Sequence, residues 1–227
     1  MNSIVENLKE IAGSLPEGVK LVAVSKTKPV EAIVEAYEAG QRVFGENRVQ
    51  ELAEKYEVLP KDIEWHMIGH LQTNKVKYMA AFVSLIHGVE SLKLLETIDK
   101  EGKKHDRVIP CLLQFYIASE ETKFGLDMEE AKALLESNDY KQMKNVKIVG
   151  VMGMATNTDD EVQVRREFHH LKEIFDELKA TYFAENPEFK ELSMGMSGDY
   201  RIAVEEGSTM VRVGRYIFGA RTYANIY

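Results

Sequence analysis

The feature that most constrains this chain is the alternation of short apolar runs, rich in β-branched residues, with longer segments of helical periodicity. Apolar runs of this kind are typical of strands in a parallel sheet whose two faces are covered by helices. The predicted strands are Leu21–Ser25, Arg42–Gly45, Glu64–Gly69, Phe82–His87, Val108–Ile117, Val146–Met154, Leu192–Met196 and Met210–Gly214. Their strict alternation with helices predicts an α/β fold.

Helical patterns lie between the predicted strands. The clearest covers Asp159–Tyr182, where large apolar residues recur at alternating spacings of three and four. Further helices are predicted over Val30–Ala39, Arg48–Tyr56, Ser91–Lys103 and Asp127–Ser137. One more amphipathic helix is expected at the N-terminus, because Ile4, Val5, Leu8 and Ile11 share one helical face.

Two architectures fit this alternation, a (β/α)8 barrel and a doubly wound open sheet. We favour a single (β/α)8 TIM barrel with an extra N-terminal helix, because about eight strands are predicted and no Gly-x-Gly-x-x-Gly turn follows the first. A length of 227 residues suits one such barrel, and no Gly/Ser-rich or Pro-rich linker interrupts the sequence. We therefore expect one domain over residues 1–227.

Composition narrows the classes of partner and compartment. The formal net charge of −8 disfavours nucleic acid and anionic membranes and is compatible with a small anionic ligand. The longest apolar stretch, Val108–Ile117, is too short to span a bilayer as a helix. The N-terminus has no features of a targeting peptide, and a lone Cys111 suits a reducing compartment. These properties predict a cytoplasmic protein.

Ligand contacts in a (β/α)8 barrel come from the carboxyl ends of the strands. Lys26 directly follows the first predicted strand and shares its parity with Val22 and Val24, so its amine lies at the barrel mouth if the valines point inward. Lys28 could face the same way. A single lysine is more often a solvated charge. At the end of an apolar strand it is a candidate nucleophile, because partial burial lowers the pKa of an amine.

The second and third strands also lead into polar residues. Asn47 is a candidate ligand contact or, more commonly for such a residue, the cap of the helix beginning near Arg48. His66 and His70 have no partners at metal-ligand spacing, so no metal site is expected. We predict that His66 is an interior group with satisfied hydrogen bonds and that His70 lies where the next loop begins.

The segments after the seventh and eighth strands lie where this fold frequently binds phosphate. Ser197 and Gly198 precede a short predicted helix, Tyr200–Glu206, whose free N–H groups favour an anion. Gly214 permits close approach of the backbone to a ligand. Alternatively, Ser197 is only a helix cap and Gly214 only a turn. A phosphate site opposite a lysine is the arrangement that a phosphorylated aldehyde cofactor requires.

Five ordered segments covering nearly the whole chain resemble one family, the pyridoxal phosphate homeostasis proteins, also described as alanine racemase N-terminal-like proteins. The segments are Leu21–Pro29, Phe44–Asn47, Trp65–Lys75, Leu192–Asp199 and Gly207–Gly214. One departure from the family is Tyr116, which stands where many members carry an asparagine.

The resemblance implies that the cofactor is pyridoxal 5'-phosphate (PLP), held as a Schiff base on Lys26. It implies that Arg212 faces the pyridine nitrogen, whereas the alternative for this residue is an ion pair with Glu205 or Glu206. Ser197 and the backbones of Gly198 and Gly214 would hold the phosphate, with Asn47 beside the cofactor. The full set of implied cofactor-binding residues is Lys26, Asn47, Ser197, Gly198, Arg212 and Gly214.

The resemblance also implies a role in intracellular PLP (vitamin B6) homeostasis, with PLP-dependent apoenzymes as candidate recipients of the cofactor. Related racemases carry a second domain that donates catalytic groups across a dimer interface, and only Ala220–Tyr227 follow Gly219 here. We therefore predict a monomer that is not an enzyme and assign no catalytic residue. The alternatives are a minimal PLP-dependent racemase or lyase, with Lys26 as its base, and an unrelated phosphosugar-binding barrel enzyme.

Overall fold

The computed structural model describes residues 2–121 and 124–220. Eight strands pair in parallel, each with the next along the chain, and the eighth pairs with the first to close a barrel. The strands are β1 Lys20–Val24, β2 Val43–Glu46, β3 Glu64–Met67, β4 Leu85–Val89, β5 Ile109–Gln114, β6 Val146–Met152, β7 Glu191–Ser193 and β8 Met210–Val213. The (β/α)8 prediction is confirmed, and the doubly wound alternative is wrong.

Helices surround the barrel, and one of them precedes β1 as predicted. They are α1 Ile4–Ser14, α2 Val30–Glu38, α3 Val49–Val58, α4 Leu92–Lys104, α5 Met128–Glu136, α6 Asn138–Gln142, α7 Glu161–Tyr182, α8 Tyr200–Glu205 and α9 Arg215–Phe218. A 3-10 helix, Thr73–Tyr78, takes the place of a longer helix after β3. None of the described helices is both long and apolar enough to span a membrane.

The largest differences from the predicted elements lie at strand ends and in short helices. The fourth strand begins at Leu85 rather than Phe82, because the N–H groups of Phe82 and Val83 close a turn on the Met79 carbonyl. The fifth ends at Gln114, after which the backbone of Tyr116 bonds to Leu126 instead of to the sheet. The 3-10 helix, α6 and α9 are too short to give a periodic signal. The predicted domain includes residues 221–227, which lie outside the described residues.

Two apolar layers result from the alternation of side chains along the strands. Val22 belongs to a cluster inside the barrel, whereas its neighbour Ala23 packs in the larger layer between barrel and helices. The interior cluster consists of Val22, Val43, Leu85, Leu112, Val149, Met152 and Met210. The barrel is therefore filled by side chains, and a ligand can enter only at its ends.

The first and last described parts of the chain meet where the barrel closes. Lys20 to Ala23 of β1 are in register with Met210 to Val213 of β8. Outside this junction, α1 packs against α9, and the Asn7 side-chain amide donates a hydrogen bond of 3.1 Å to the Ile217 carbonyl. A capping box between Ser3 and Glu6 fixes the start of α1.

Candidate functional site

A cavity of about 520 Å³ lies at the carboxyl ends of the strands, and we call it the upper cavity. All six residues singled out in the sequence line it, namely Lys26, Asn47, Ser197, Gly198, Arg212 and Gly214. Apolar contacts come from Val24, Ile68, Met154 and Met196. The alternation of strands and helices thus brings together residues from both ends of the sequence.

The charge lining the upper cavity is opposite to that of the whole chain. Lys26, Lys28, Arg212 and Arg215 line it, and no carboxylate does so among the described residues. The chain nevertheless has a net charge of −8. The cavity therefore favours a small anion although the surface as a whole does not.

Lys26 lies where the parity of β1 predicts. Val22 packs inside the barrel, and Val24 and Lys26 line the cavity above it. Lys28 lines the cavity too, and its ammonium donates to the carbonyl oxygens of Gly219 at 3.3 Å and Ala220 at 2.7 Å. Partial burial lowers the pKa of Lys28. These bonds direct Lys28 toward the segment after α9.

The backbone on both sides of Lys26 is held by α3. The Lys55 ammonium donates to the Ser25 carbonyl at 2.7 Å, and the Thr27 N–H donates to the two carboxylate oxygens of Glu51 at 2.6 and 3.2 Å. Thr27 has a φ of +63°, which is rare for a β-branched residue. Such a conformation persists only where the surrounding structure fixes it, and here Glu51 does so.

Lys55 also forms a buried ion pair with Glu46 and a second, longer one with Glu51 at 3.5 Å. Burial raises the pKa of Glu46 to about 7, and the Lys55 charge opposes the rise. The Glu46 Oε2 atom has no hydrogen-bond partner in the described part of the chain. Sequence reasoning missed Lys55 and Glu51. Glu46 is the signal that could have revealed them. A carboxylate that follows apolar strand residues and is itself buried needs a cation beside it.

The structure excludes one of the two interpretations of Asn47. Helix α3 begins after Arg48, whose side chain makes no capping bond, so the prediction of Asn47 as the helix cap is wrong. Asn47 instead lines the upper cavity. The inward direction follows from strand parity, because Glu46 points outward to Lys55 on α3.

Ser197 and Gly198 lie in the turn between β7 and α8. The residue before α8 is Asp199, whose carboxylate accepts the Met196 N–H at 2.7 Å, so the interpretation of Ser197 as the helix cap is also wrong. Ser197 lines the cavity. A Cβ atom added at Gly198 would meet nothing within 4 Å, so this part of the backbone faces open space.

Gly214 lies between the end of β8 and α9. A Cβ atom there would lie 3.0 Å from the Val24 carbonyl oxygen and 3.1 Å from the Val24 Cβ. Close packing against β1 therefore favours a glycine at this position, independently of any ligand. The same close approach brings the backbone after β8 beside the strand that leads to Lys26.

Arg212 points into the barrel, and its predicted alternative partners are taken by another arginine. Arg165 pairs with Glu205 at 2.6 Å and with Glu206 at 3.6 Å. Arg212 is 3% exposed, and it donates to the Ser193 hydroxyl at 2.5 Å and to the Gly153 carbonyl at 3.3 Å. Burial lowers the pKa of Arg212 to about 10, and the negative charge of Asp199 opposes this decrease. Arg212 is therefore a buried cation at neutral pH.

The remaining residues noted in the sequence lie away from the cavity lining. His66 is buried and bonded through Nδ1 to His87 at 2.9 Å, so the prediction that it is an interior group is confirmed. His70 is exposed in the loop after β3, where it contacts Glu90 at 3.1 Å. Tyr116 donates to the Glu120 carbonyl at 2.5 Å and is not among the described residues lining the cavity.

Comparison with known proteins identifies related chains. The family model described as alanine racemase, N-terminal domain, matches residues 1–222. The pyridoxal phosphate homeostasis protein of Aquifex aeolicus is 42% identical over 220 residues, which cover 96% of this chain and 94% of that protein. The structure of PipY from Synechococcus elongatus, with PLP bound, is 37% identical and superposes with a TM-score of 0.84 over 96% of this chain and 100% of its own.

A more distant likeness concerns the fold alone. The alanine racemase of Bartonella henselae, solved with covalently bound pyridoxal phosphate, has a TM-score of 0.73 and 18% identity. It covers 98% of this chain but only 63% of the racemase. What this likeness shows is the shared barrel fold. The chain belongs to the alanine racemase N-terminal domain family and, within it, to the pyridoxal phosphate homeostasis proteins.

Proposed function

We propose that this protein binds PLP in the upper cavity and takes part in intracellular PLP (vitamin B6) homeostasis, holding the cofactor as a Schiff base on Lys26. The observation that carries the proposal is a cavity with four cationic side chains and no carboxylate among its described lining residues. The solved structure of PipY with PLP bound, at 37% identity, supports the same ligand.

The residues present fit the parts of PLP. When bound, PLP supplies an aldehyde that condenses with a primary amine and an aromatic ring that withdraws electrons. Lys26 is the candidate amine, and the Ser197 hydroxyl and the backbones of Gly198 and Gly214 are the candidate phosphate contacts. Arg212 is assigned to the pyridine nitrogen and Asn47 to the side of the ring. A dianionic phosphate is matched by the positive charge of this cavity.

We propose that the protein holds PLP rather than turning over a substrate. A racemase needs an acid or base on each face of its substrate. No histidine, tyrosine, cysteine or carboxylate lines the cavity among the described residues, so its lining offers no second group of the kind that usually serves as acid or base beside the lysines. A minimal racemase or lyase with Lys26 as base is the alternative, and an amino-acid turnover assay distinguishes it.

We further propose that the chain acts as one barrel domain and a monomer in the cytoplasm, with PLP-dependent apoenzymes as recipients. In the described structure the exposed large apolar side chains lie singly on separate elements, apart from Tyr116 and Phe124. They form no extended apolar patch of the kind that marks an interface, and this supports a monomer. Light scattering that gives a dimer at all concentrations would contradict it.

The decisive experiment is the absorption spectrum of the PLP-loaded protein before and after borohydride reduction, followed by peptide mass mapping. We expect a visible band that borohydride removes and a pyridoxyl label on Lys26. Lys26→Ala should lose both band and label, whereas the matched variant Lys28→Ala should keep them. A label on Lys28, or no visible band, contradicts the proposal, and the latter result favours a phosphosugar-binding barrel.

A further inference from the structure

Two groups inside the barrel accept hydrogen bonds from Arg212. Its guanidinium lines the upper cavity, yet both of its recorded acceptors, the Ser193 hydroxyl and the Gly153 carbonyl, are uncharged and lie inside the barrel. Arginine offers donors and no acceptor. The Asp199 charge opposes the lowering of the Arg212 pKa, and the orientation of the guanidinium depends on what holds these two acceptors in place.

Ser193 is in turn part of a longer hydrogen-bonded series. Its hydroxyl lies 3.0 Å from His87 Nδ1, and His87 Nε2 lies 2.9 Å from His66 Nδ1. All four side chains are buried, with 3% exposure or less. We call Arg212, Ser193, His87 and His66 the inner network.

The inner network crosses the barrel from one end to the other. Arg212 lines the upper cavity, whereas His66 lines a second cavity of about 240 Å³ at the amino ends of the strands. The interior cluster around Val22 and Met210 fills the rest of this space with apolar atoms. The network is thus a polar path through an otherwise apolar interior.

The chemistry of the four groups fixes the direction of the bonds. Because Arg212 can only donate, the Ser193 oxygen accepts from it, and its hydroxyl proton is satisfied by donation to His87 Nδ1. His87 then carries its proton on Nε2 and donates to His66 Nδ1, which leaves the His66 proton on Nε2. The opposite orientation would leave the buried hydroxyl proton without an acceptor among the recorded contacts.

Both histidines are neutral in this arrangement. Burial lowers the pKa of His66 to about 3 and also lowers that of His87, to which the Arg212 charge contributes. Protonated His87 would have no acceptor nitrogen for the Ser193 hydroxyl. Because both histidines are neutral, the hydrogen bonds between Ser193, His87 and His66 keep one direction. The positive charge of the inner network is then on the Arg212 guanidinium.

We propose that Ser193, His87 and His66 are positioning residues that hold the Arg212 guanidinium at the upper cavity through a hydrogen-bond series with a single direction. The ligand group that benefits is the pyridine nitrogen of PLP, so this consequence rests on the proposed function. The residues set the orientation of Arg212 without contacting the cofactor.

The test begins on the ligand-free protein. Heteronuclear NMR spectra of the histidine rings should show His66 and His87 as neutral Nε2–H tautomers, assigned from His66→Gln and His87→Gln. Ser193→Ala should change the His87 ring signals and speed the exchange of the Arg212 guanidinium protons. Ser208→Ala is the matched control, because Ser208 is also buried and its hydroxyl contacts backbone groups of Leu192, Met194 and Met210 rather than the inner network.

A second readout uses PLP as the probe. Ser193→Ala and His87→Leu should shift the visible absorption band and weaken PLP binding by about tenfold or more, the expected loss for one hydrogen bond to a charged group. His87→Gln, which keeps a donor and an acceptor, should recover part of the affinity. Ser208→Ala should reduce stability without moving the band.

The outcomes separate this inference from the proposed function. An Nδ1–H tautomer of His87, or identical behaviour of Ser193→Ala and Ser208→Ala, overturns the inference while leaving PLP binding intact. If the unmodified protein binds no PLP, the proposed function fails, and the ring spectra of the ligand-free protein decide the network by themselves.

Discussion

The Glu51 carboxylate accepts the backbone N–H of Thr27 at 2.6 Å, so the peptide that follows Lys26 is held by a neighbouring helix. Lys55, one turn further along α3, holds the carbonyl of Ser25 on the other side. The direction of the Lys26 side chain is therefore set by α3 and not by its own loop alone. This arrangement predicts that changes outside the cavity alter ligand binding.

The first prediction concerns Glu51→Gln. The neutral amide is a weaker acceptor, so Thr27 should lose part of its restraint and PLP affinity should fall by about tenfold, as for one charge-assisted hydrogen bond. The free energy of unfolding should fall by only about 1 kcal/mol, because the site is partly exposed. PLP titration and urea denaturation measure the two effects. Glu54→Gln, on the same helix, is the control, and equal affinities of the two variants would contradict the prediction.

The second prediction concerns the phosphate contact of Ser197. Ser197→Ala should weaken PLP binding by roughly 1.5 to 3 kcal/mol, the cost of one hydrogen bond to a charged group. Binding of pyridoxal, which lacks the phosphate, should be much weaker and insensitive to the change. Parallel titrations with the two ligands test this, with Ser14→Ala on α1 as control. Equal affinities for PLP and pyridoxal would exclude the assigned anchor.

The third prediction compares two glycines that both line the upper cavity. Gly214→Ala should lower the free energy of unfolding by about 1 to 3 kcal/mol, because its Cβ would press against Val24 at 3.0 to 3.1 Å. Gly198→Ala should leave stability nearly unchanged, because its Cβ meets nothing within 4 Å. Urea denaturation of the two variants measures the difference. Similar losses in both would mean that packing against β1 is not the reason for the glycine.

The fourth prediction is a loss of stability in acid caused by the buried histidines. Folding lowers the pKa of His66 from 6.5 to about 3 and lowers that of His87 as well. Well above pH 6.5 neither the folded nor the unfolded state binds these protons. Between pH 6.5 and the lowered pKa of His66 mainly the unfolded state does, so His66 should reduce the free energy of unfolding by about 2 kcal/mol at pH 5, and His87 acts in the same direction.

Variants isolate this contribution from other groups. The raised pKa of Glu46 acts in the opposite direction, since protonation of its carboxyl relieves a buried charge as the pH falls. Urea denaturation measures the free energy of unfolding at pH 7.5 and at pH 5. The decrease between these two pH values should be about 2 kcal/mol smaller for His66→Gln than for the unmodified protein. His105→Gln, at an exposed position, is the control and should match the unmodified protein.

The fifth prediction follows from the charge of Arg212. Its pKa of about 10 keeps it cationic at neutral pH, and a cation that only donates keeps a neighbouring pyridine nitrogen unprotonated. A neutral ring withdraws electrons weakly, so transamination should be nearly absent. The PLP-loaded protein is mixed with excess L-alanine or L-glutamate, and formation of pyridoxamine phosphate is followed. Complete conversion within minutes would show that Arg212 does not act in this way.

The alternation of strands and helices predicts the barrel, and it gives one physical reason why the six residues named by the family resemblance converge. Alternation of strands with helices fixes a parallel order, and in a closed parallel barrel every strand ends at the same rim. Lys26 and Gly214 therefore lie at one cavity although they belong to opposite ends of the sequence. Strand ends were less predictable, because hydrogen bonds such as those on the Met79 carbonyl decide where β4 begins.

The supporting contacts could not be predicted in this way. His87 and Ser193 are polar residues within apolar strands, which indicates that each needs a partner. Which inward polar groups meet depends on the distance between β4 and β7 across the barrel, and no local pattern encodes that distance. The same holds for Lys55, whose contact with Ser25 depends on how α3 docks on the sheet.

The pairing of β1 with β8 has a consequence for how the protein is made. Lys26 leaves the ribosome well before Ser197, Arg212 and Gly214, which follow it in the sequence by most of the barrel. Until β8 arrives, β1 has an unpaired edge, and such partial barrels are prone to aggregate. The lysine and the phosphate contacts assigned to the same ligand therefore come together only once translation has reached the last strand, so a truncated chain lacking β8 has no assembled cofactor pocket.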